Sequence, residues 1–331
     1  MRRAGRSDRV RRNLPTAKPV LGLINLEVNR SIVEHIPVLA ETLAEQINLP
    51  PDGVMVDATI GQGGHSLLFG QYLGPQGVIV GLDVDRQTLR AAQVKLKDLT
   101  CKLILIHSNF SHLADRLAEQ DIKQVDFILA DLGVSSAQLA DPKFGLSFQT
   151  NMPLDMRIDK RLKTTAADIV NTADEKSLAD LIFKFGQDRA ARRIARFIVQ
   201  QRRGEPITTT GQLAAIVSRA RRQPGRKVRP RIHPATRTFQ ALRIAVNNEL
   251  QNLEELLAAA PLLLKKDGRI AVISYHSLED RLVKTSFRQN EKQGIYRILT
   301  KKPMVPTKAE VARNPRARSA KLRMAQRQVK K

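Results

Sequence analysis

The sequence has no tryptophan, and aromatic residues make up only 4% of it. That disfavours nucleic-acid binding built on many aromatic stacking platforms. Cysteine occurs once, as Cys101. A single thiol excludes internal disulfides and a cysteine-rich zinc site, and it fits a reducing, cytoplasmic setting. No apolar run approaches the roughly 20 residues of a membrane-spanning helix, so no membrane partner is expected. The opening stretch MRRAGRSDRVRRNLPTAKP lacks the apolar segment of a secretory signal. Acids are scarce too: 32 Asp and Glu stand against 56 Lys and Arg, a net charge of +24.

The basic surplus is unevenly placed. Residues 1–18 hold seven Lys or Arg and one acid, residues 219–231 seven and none, residues 297–331 twelve and one. Those three segments carry the whole excess, and the remainder is close to neutral. Such gathering points to a polyanionic partner, most simply nucleic acid. The bland alternative is a set of solvated segments with no partner. Residues 1–30 read as a disordered basic arm, although an Arg-rich, acid-poor start also fits an organelle transit peptide.

With 331 residues, 42% of them apolar, the chain suits one large α/β domain, or a core with an insertion. HIPVLAETLAEQINLPPDG reads as a short helix stopped by Pro50, Pro51 and Gly53. Apolar, strand-like runs then alternate with helical patterns: Val54–Asp57, GVIVGLDVD, CKLILIHSNF and VDFILADLGVSS are the strands. Continuous apolar strands alternating with helices predict a doubly wound, mostly parallel sheet covered on both faces. The alternation stops near Ser136. Residues 137–236 read as a helical insertion, entered by capping-box spacings at Thr172/Glu175 and Thr209/Gln212. Within it Arg189, Arg192, Arg193 and Arg196 share one helical face. The core spans 31–136 and resumes over 237–325 with a helix, a fifth strand GRIAVISYHS, and two closing strands in IYRIL and AKLRMAQ.

DATIGQGGHS follows the first strand. Glycine allows positive φ and close approach of the main chain to a ligand. In an open α/β sheet, ligands bind beyond the carboxyl ends of the strands. The loop Gly61–His65 therefore reads as a cradle for an anionic group. Asp83 ends the second strand about 20 residues later, the place of an acid that holds ribose hydroxyls. Together they indicate a nucleoside-containing cofactor without saying which. The glycines stand at 61, 63 and 64, with Ser66 where a dinucleotide fingerprint has its last glycine. This weakens a nicotinamide reading. The third strand ends in Asn109 and Phe110, an aromatic placed either against an adenine or in the core. Asp131 ends the fourth strand in the crevice where a reacting group would lie. No cluster of His, Cys and Asp suggests a metal.

These residues resemble the bacterial RsmH (MraW) family. The likeness is carried by HIPVL, DATIGQGGHS, DLGVSSAQL, GLSFQTNMPLDMRID, TAADIVN, HPATRTFQALRIAVNNEL, ISYHSLEDRLVK and NPRARSAKLR, between about residues 33 and 323. The resemblance implies a Rossmann-like class I S-adenosylmethionine-dependent methyltransferase core with an inserted helical, RNA-recognising domain. The implied reaction is methylation of the N4 amine of a cytidine in small-subunit ribosomal RNA. Its implied cofactor contacts are Gly63, Gly64, His65, Asp83, Phe110, Asp131 and Gln138. Asp131 is the expected catalytic acceptor for the amine proton. The expected partner is small-subunit rRNA or a ribosomal particle; a homodimer stays open.

Exocyclic-amine methyltransferases often carry Asp/Asn-Pro-Pro-aromatic where this chain has Asp131-Leu132-Gly133-Val134. The base-stacking aromatic is absent from that position. Leu154–Arg157, His233–Arg237 and Tyr275–Ser277 are the candidates to hold the base. Methylation at cytosine C5 would need a cysteine nucleophile. Cys101 opens the third strand, away from the cofactor loops, so direct attack by nitrogen is favoured. Other classes remain in view: a nicotinamide oxidoreductase, a non-catalytic nucleic-acid binder, and an amine methyltransferase acting on DNA or another RNA.

Overall fold

The computed structural model describes residues 37–222 and 233–328. The expected basic arm at 1–30 lies outside the described residues. The first half alternates as the apolar runs predict. Helix α1 (Ala40–Ala44) precedes β1 (Val54–Asp57), α2 (Gly64–Gly70), β2 (Val78–Asp83), α3 (Arg86–Lys95), β3 (Lys102–His107), α4 (Leu113–Ala118), β4 (Val125–Asp131) and the short α5 (Ser136–Ala140). A helical stretch follows: α6 (Ala166–Thr172), α7 (Glu175–Gly186), α8 (Ala191–Arg202), α9 (Thr210–Arg221), α10 (Thr236–Asn247) and α11 (Glu249–Leu263). The chain closes with β5 (Leu264–Ser274), α12 (Ser277–Lys292), β6 (Tyr296–Ile298), α13 (Lys308–Arg313) and β7 (Lys321–Arg327). Both closing strands anticipated from the sequence are present.

The seven strands form one sheet in the order β3-β2-β1-β4-β5-β7-β6. Strands β1 to β5 are parallel, and β7 runs antiparallel between β5 and β6. This is a doubly wound sheet, and its strand order reverses direction between β1 and β4. Consecutive strand residues serve opposite faces. Met55, Phe127 and Ala271 enter one apolar cluster with Phe69 and Leu322. Val56, Ile128 and Val272 enter the other with Leu253 and Val283. Burial on both faces explains why the strands read as continuous apolar runs.

Helices α6 to α10 build a separate apolar core. Val170, Ile182, Ile198, Leu213 and Phe239 represent one helix each. The stripe of α10, Phe239, Leu242 and Val246, packs into this cluster. Thr209 and Gln212 form the expected capping box on α9. The Thr172/Glu175 expectation is corrected: Asp174 caps α7 by accepting from Ser177 N. Thr172 lies in the last turn of α6 and donates to the Asp168 carbonyl instead. An extended-backbone Asp directly before the helix outcompetes a residue still inside the previous one. A second box, Thr165 with Asp168, starts α6. Among the described residues, no helix is long and apolar enough to cross a membrane.

Candidate active site at the carboxyl rim of the sheet

The parallel strands deliver Asp57, Asp83 and Asp131 to one rim, because each is the last residue of its strand. In the loop after β1, Gly61 has φ 53° and Gly63 has φ 80°. Both lie in the left-handed region, which explains why the sequence spends glycines there. Gly61 N donates to Asp83 Oδ2 at 3.1 Å, and Asp85 N donates to Asp83 Oδ1 at 2.8 Å. The loop after β1 is thereby tied to the end of β2. Burial raises the Asp83 carboxyl to about 6, against the opposing pull of those two N–H donors.

Gly64 and His65 open α2. His65 is buried, and neither ring nitrogen has a hydrogen-bond partner. Its Nε2 lies 3.6 Å from Asp131 Oδ2, beyond hydrogen-bond reach. Such an orphaned ring at the rim fits a site that awaits a polar ligand. Beneath it, Asp57 is 1% exposed and accepts from Ser66 Oγ at 2.7 Å. Burial pushes its carboxyl up, while His65 and the Ser66 hydroxyl partly oppose that.

Asp131 is held at three points. Its N–H donates to Thr59 Oγ1 at 2.7 Å. The Tyr275 hydroxyl donates to its Oδ1 at 2.8 Å. The strand itself is fixed by the pairing of Asp131 with Ile273 of β5. Oδ2 receives no hydrogen bond among the described residues. Burial and the Asp131 charge push the Tyr275 phenol far up, so it stays a donor.

Phe110 follows the rim end of β3 in a short 3-10 turn and packs, half-buried, against the apolar cluster beneath. Gln138 is buried in α5 just beyond β4. Its Oε1 accepts from Ser135 N at 2.9 Å, so the side chain closes a capping box. Gly63, Gly64, His65, Asp83 and Asp131 thus share the rim. Phe110 and Gln138 flank it from the loops after β3 and β4.

Of the candidates for holding the base, Leu154 and Met156 are buried in the helical core. Arg157 is spent on Asp155, at 2.8 and 2.9 Å. His233 lies against Phe148, with ring centres 4.6 Å apart. Tyr275 is the candidate that reaches Asp131. Thr59 and the Asp57–Ser66 pair were missed; a polar residue within two positions of a strand's carboxyl end is the signal that would have found Thr59 and Asp57, whereas Ser66, nine positions on, reaches Asp57 only through the fold. Cys101 is buried at the start of β3, as expected of a core thiol.

Behind Tyr275 lies a chain of charges the sequence does not reveal. Glu279 Oε2 accepts from Tyr275 N at 2.8 Å and His276 N at 3.2 Å. His276 Nε2 is 3.3 Å from Glu279 and 4.0 Å from Glu249. Arg243 of α10 takes both Glu249 oxygens, at 2.7 and 3.0 Å. Glu249, His276 and Glu279 are metal-ligating types, with ligand atoms all within 4.8 Å. The guanidinium already supplies the positive charge there, and it holds the Glu249 carboxyl below its usual range.

A family model described as the MraW methylase family matches residues 32–328. The chain belongs to that family. Its sheet, with the antiparallel β7 between β5 and β6, is the Rossmann-like class I methyltransferase core. Curated relatives named ribosomal RNA small subunit methyltransferase H agree. One, from a Cyanothece strain, is 50% identical over 88% of this chain and 94% of its own length. Another, from Acidobacterium capsulatum, is 47% identical over 88% of this chain and 98% of its own. A crystal structure of an rRNA methylase from Streptococcus thermophilus is a much looser likeness, with 12% identity, a TM-score of 0.40, and coverage of 88% and 94%.

Proposed function

We propose that this chain transfers a methyl group from S-adenosylmethionine to the N4 amine of a cytidine in small-subunit ribosomal RNA, in the cytoplasm. The observation that carries the reading is the family match, whose span includes a rim where the glycine loop, Asp83 and Asp131 converge. S-adenosylmethionine supplies a sulfonium-bound methyl group. The main chain at Gly64, where α2 begins, suits its amino-acid end together with the unpartnered His65 ring, while Gly63 is buried against Leu96 with its N–H already given to the Ile60 carbonyl and serves by shaping the turn. Asp83 suits ribose hydroxyls, because a carboxylate already holding two N–H donors keeps lone pairs for more. Phe110, half-buried just after β3, is the candidate to flank the adenine. Asp131 Oδ2 is the free acceptor for the amine proton. No cysteine reaches the rim, which fits attack by nitrogen without a covalent enzyme–base adduct.

Mass spectrometry of rRNA nucleosides tests this directly. A strain lacking the gene should lose N4-methylcytidine from small-subunit rRNA and regain it on complementation. Loss of a different modified nucleoside, or of none, would overturn the cytidine assignment. An unaltered small-subunit rRNA beside altered DNA or another RNA would favour the other amine substrates.

Affinity for RNA is expected from the helical body. Arg189, Arg192, Arg193 and Arg196 are all exposed. Arg193 and Arg219 both lie over the Phe197 ring, at 5.7 and 5.6 Å. Arg221 ends α9 and pairs with the buried Asp188, and Arg226 and Arg229 of the basic segment beyond it lie outside the described residues. Replacing Arg221 would therefore strand a carboxylate, which makes α8 the cleaner place to test. Converting Arg192, Arg193 and Arg196 to Gln should weaken RNA binding. It should also flatten the plot of log Kd against log salt by about 0.7 for each phosphate that is no longer neutralised. An unchanged slope removes α8 from the interface.

A further inference from the structure

Tyr275 stands one residue past β5 and Asp131 ends β4, so neighbouring strands bring them together across 144 positions. Three features fix the phenol there. Its main-chain N–H is bound by the buried Glu279 carboxylate. Its hydroxyl donates to Asp131 Oδ1 at 2.8 Å. Its ring lies against Gly133, where a Cβ would come within 3.0 and 3.1 Å of two ring carbons. Gly133 is therefore the residue whose missing side chain lets the ring reach Asp131. It belongs to the same Asp-Leu-Gly-Val turn that lacks the aromatic of other amine methyltransferases.

We infer that Tyr275 is a positioning residue for the methyl transfer: it occupies Oδ1 of Asp131 and thereby aims Oδ2 at the target amine. This rests on the function proposed above. In that reaction the N4 nitrogen forms a bond to the methyl carbon as the sulfur–carbon bond breaks, leaving a neutral thioether. The positive charge passes to the nitrogen, which gives up one proton to Asp131 Oδ2. A carboxylate anchored at one oxygen has a fixed second lone-pair direction, and proton acceptance depends on that alignment. A free carboxylate would rotate; with Oδ1 held by Tyr275, Oδ2 stands 3.6 Å from His65 Nε2 on the rim side.

The charged and titratable groups around the pair are His65 from α2, Asp57 from β1, and Glu279 and Glu310 on the Tyr275 side. Removing the phenol hydroxyl leaves those in place and takes away one donor to the carboxylate.

The test is single-turnover methyl transfer to small ribosomal subunits isolated from a strain lacking the modification. Tyr275→Phe, Gly133→Ala, Asp131→Asn and the double variant Tyr275→Phe/Asp131→Asn are compared. Tyr275→Phe should lower the rate about 10–100-fold, the size of one hydrogen bond to a charged group. S-adenosylmethionine affinity, read by calorimetry, should fall far less than the rate, since Asp131, itself an expected cofactor contact, keeps its charge and its place on β4. Gly133→Ala, which displaces the ring, should give a smaller loss of the same kind. In the Asp131→Asn background the Phe substitution should cost nothing further. An equal loss in both backgrounds, or full activity of Tyr275→Phe, overturns the inference. If the unmodified protein itself transfers no methyl to these subunits, the underlying function falls instead.

Discussion

Asp131→Asn should lower the single-turnover rate by about 10²–10⁴, the usual worth of a positioned general base. RNA affinity should not follow it down, and the cofactor is kept saturating because Asp131 is also an expected cofactor contact. The substitution keeps the size of the side chain, and Oδ1 still accepts from Tyr275. The N–H that binds Thr59 is untouched. What changes is the second oxygen, which becomes an amide NH2 that repels the amine hydrogens. The loss therefore belongs to the chemical step. Rapid-quench measurement at saturating cofactor and RNA isolates it. A full rate would mean that solvent takes the proton and Asp131 has no catalytic part.

Asp83 should dominate cofactor affinity in the same way. Asp83→Asn is expected to weaken S-adenosylmethionine binding about 100-fold, since each hydrogen bond to a charged acceptor contributes about 1.5–3 kcal/mol. The sign of the pH effect follows from burial. The folded carboxyl is raised to about 6, so in the free protein it holds a proton up to that pH. A ligand whose hydroxyls need the carboxylate must expel that proton whenever the pH is lower. Affinity should therefore be flat above about pH 7 and fall by up to tenfold per pH unit below 6. Calorimetry from pH 5 to 8 checks this, and the Asn variant should lack the dependence. A pH-independent affinity in the unmodified protein would place the ribose elsewhere.

Much of this rim was legible in the sequence because a parallel sheet converts local pattern into position. Each apolar run is a strand, and whatever ends the run stands at the rim. Asp83, Asp131 and the glycines at 61, 63 and 64 could be placed on that ground alone. What could not be read were partners set by strand order. Asp131 meets Tyr275 because β5 lies beside β4, an adjacency no local pattern states. The cap of α7 was misread because Thr172 and Asp174 both have suitable side chains, and only backbone geometry chooses between them. The helix from residue 237 onward reads as part of the sheet core, yet the α10 stripe of Phe239, Leu242 and Val246 packs into the helical cluster, because periodicity shows that a face is apolar and not what covers it. The Arg243–Glu249–His276–Glu279 chain was invisible, because its members come from three segments and each alone resembles an ordinary helix residue.

That chain has a mechanical consequence. Helix α10 contributes its stripe to the helical body, yet Arg243 on it reaches through Glu249 and His276 to the acid that grips Tyr275. Swinging the body away from the rim would pull the Arg243 guanidinium from the half-buried Glu249 carboxylate, which disfavours that motion. The helical body and the Tyr275–Asp131 pair are thus linked through ion pairs and hydrogen bonds, so a displacement of α10 would be felt at the rim.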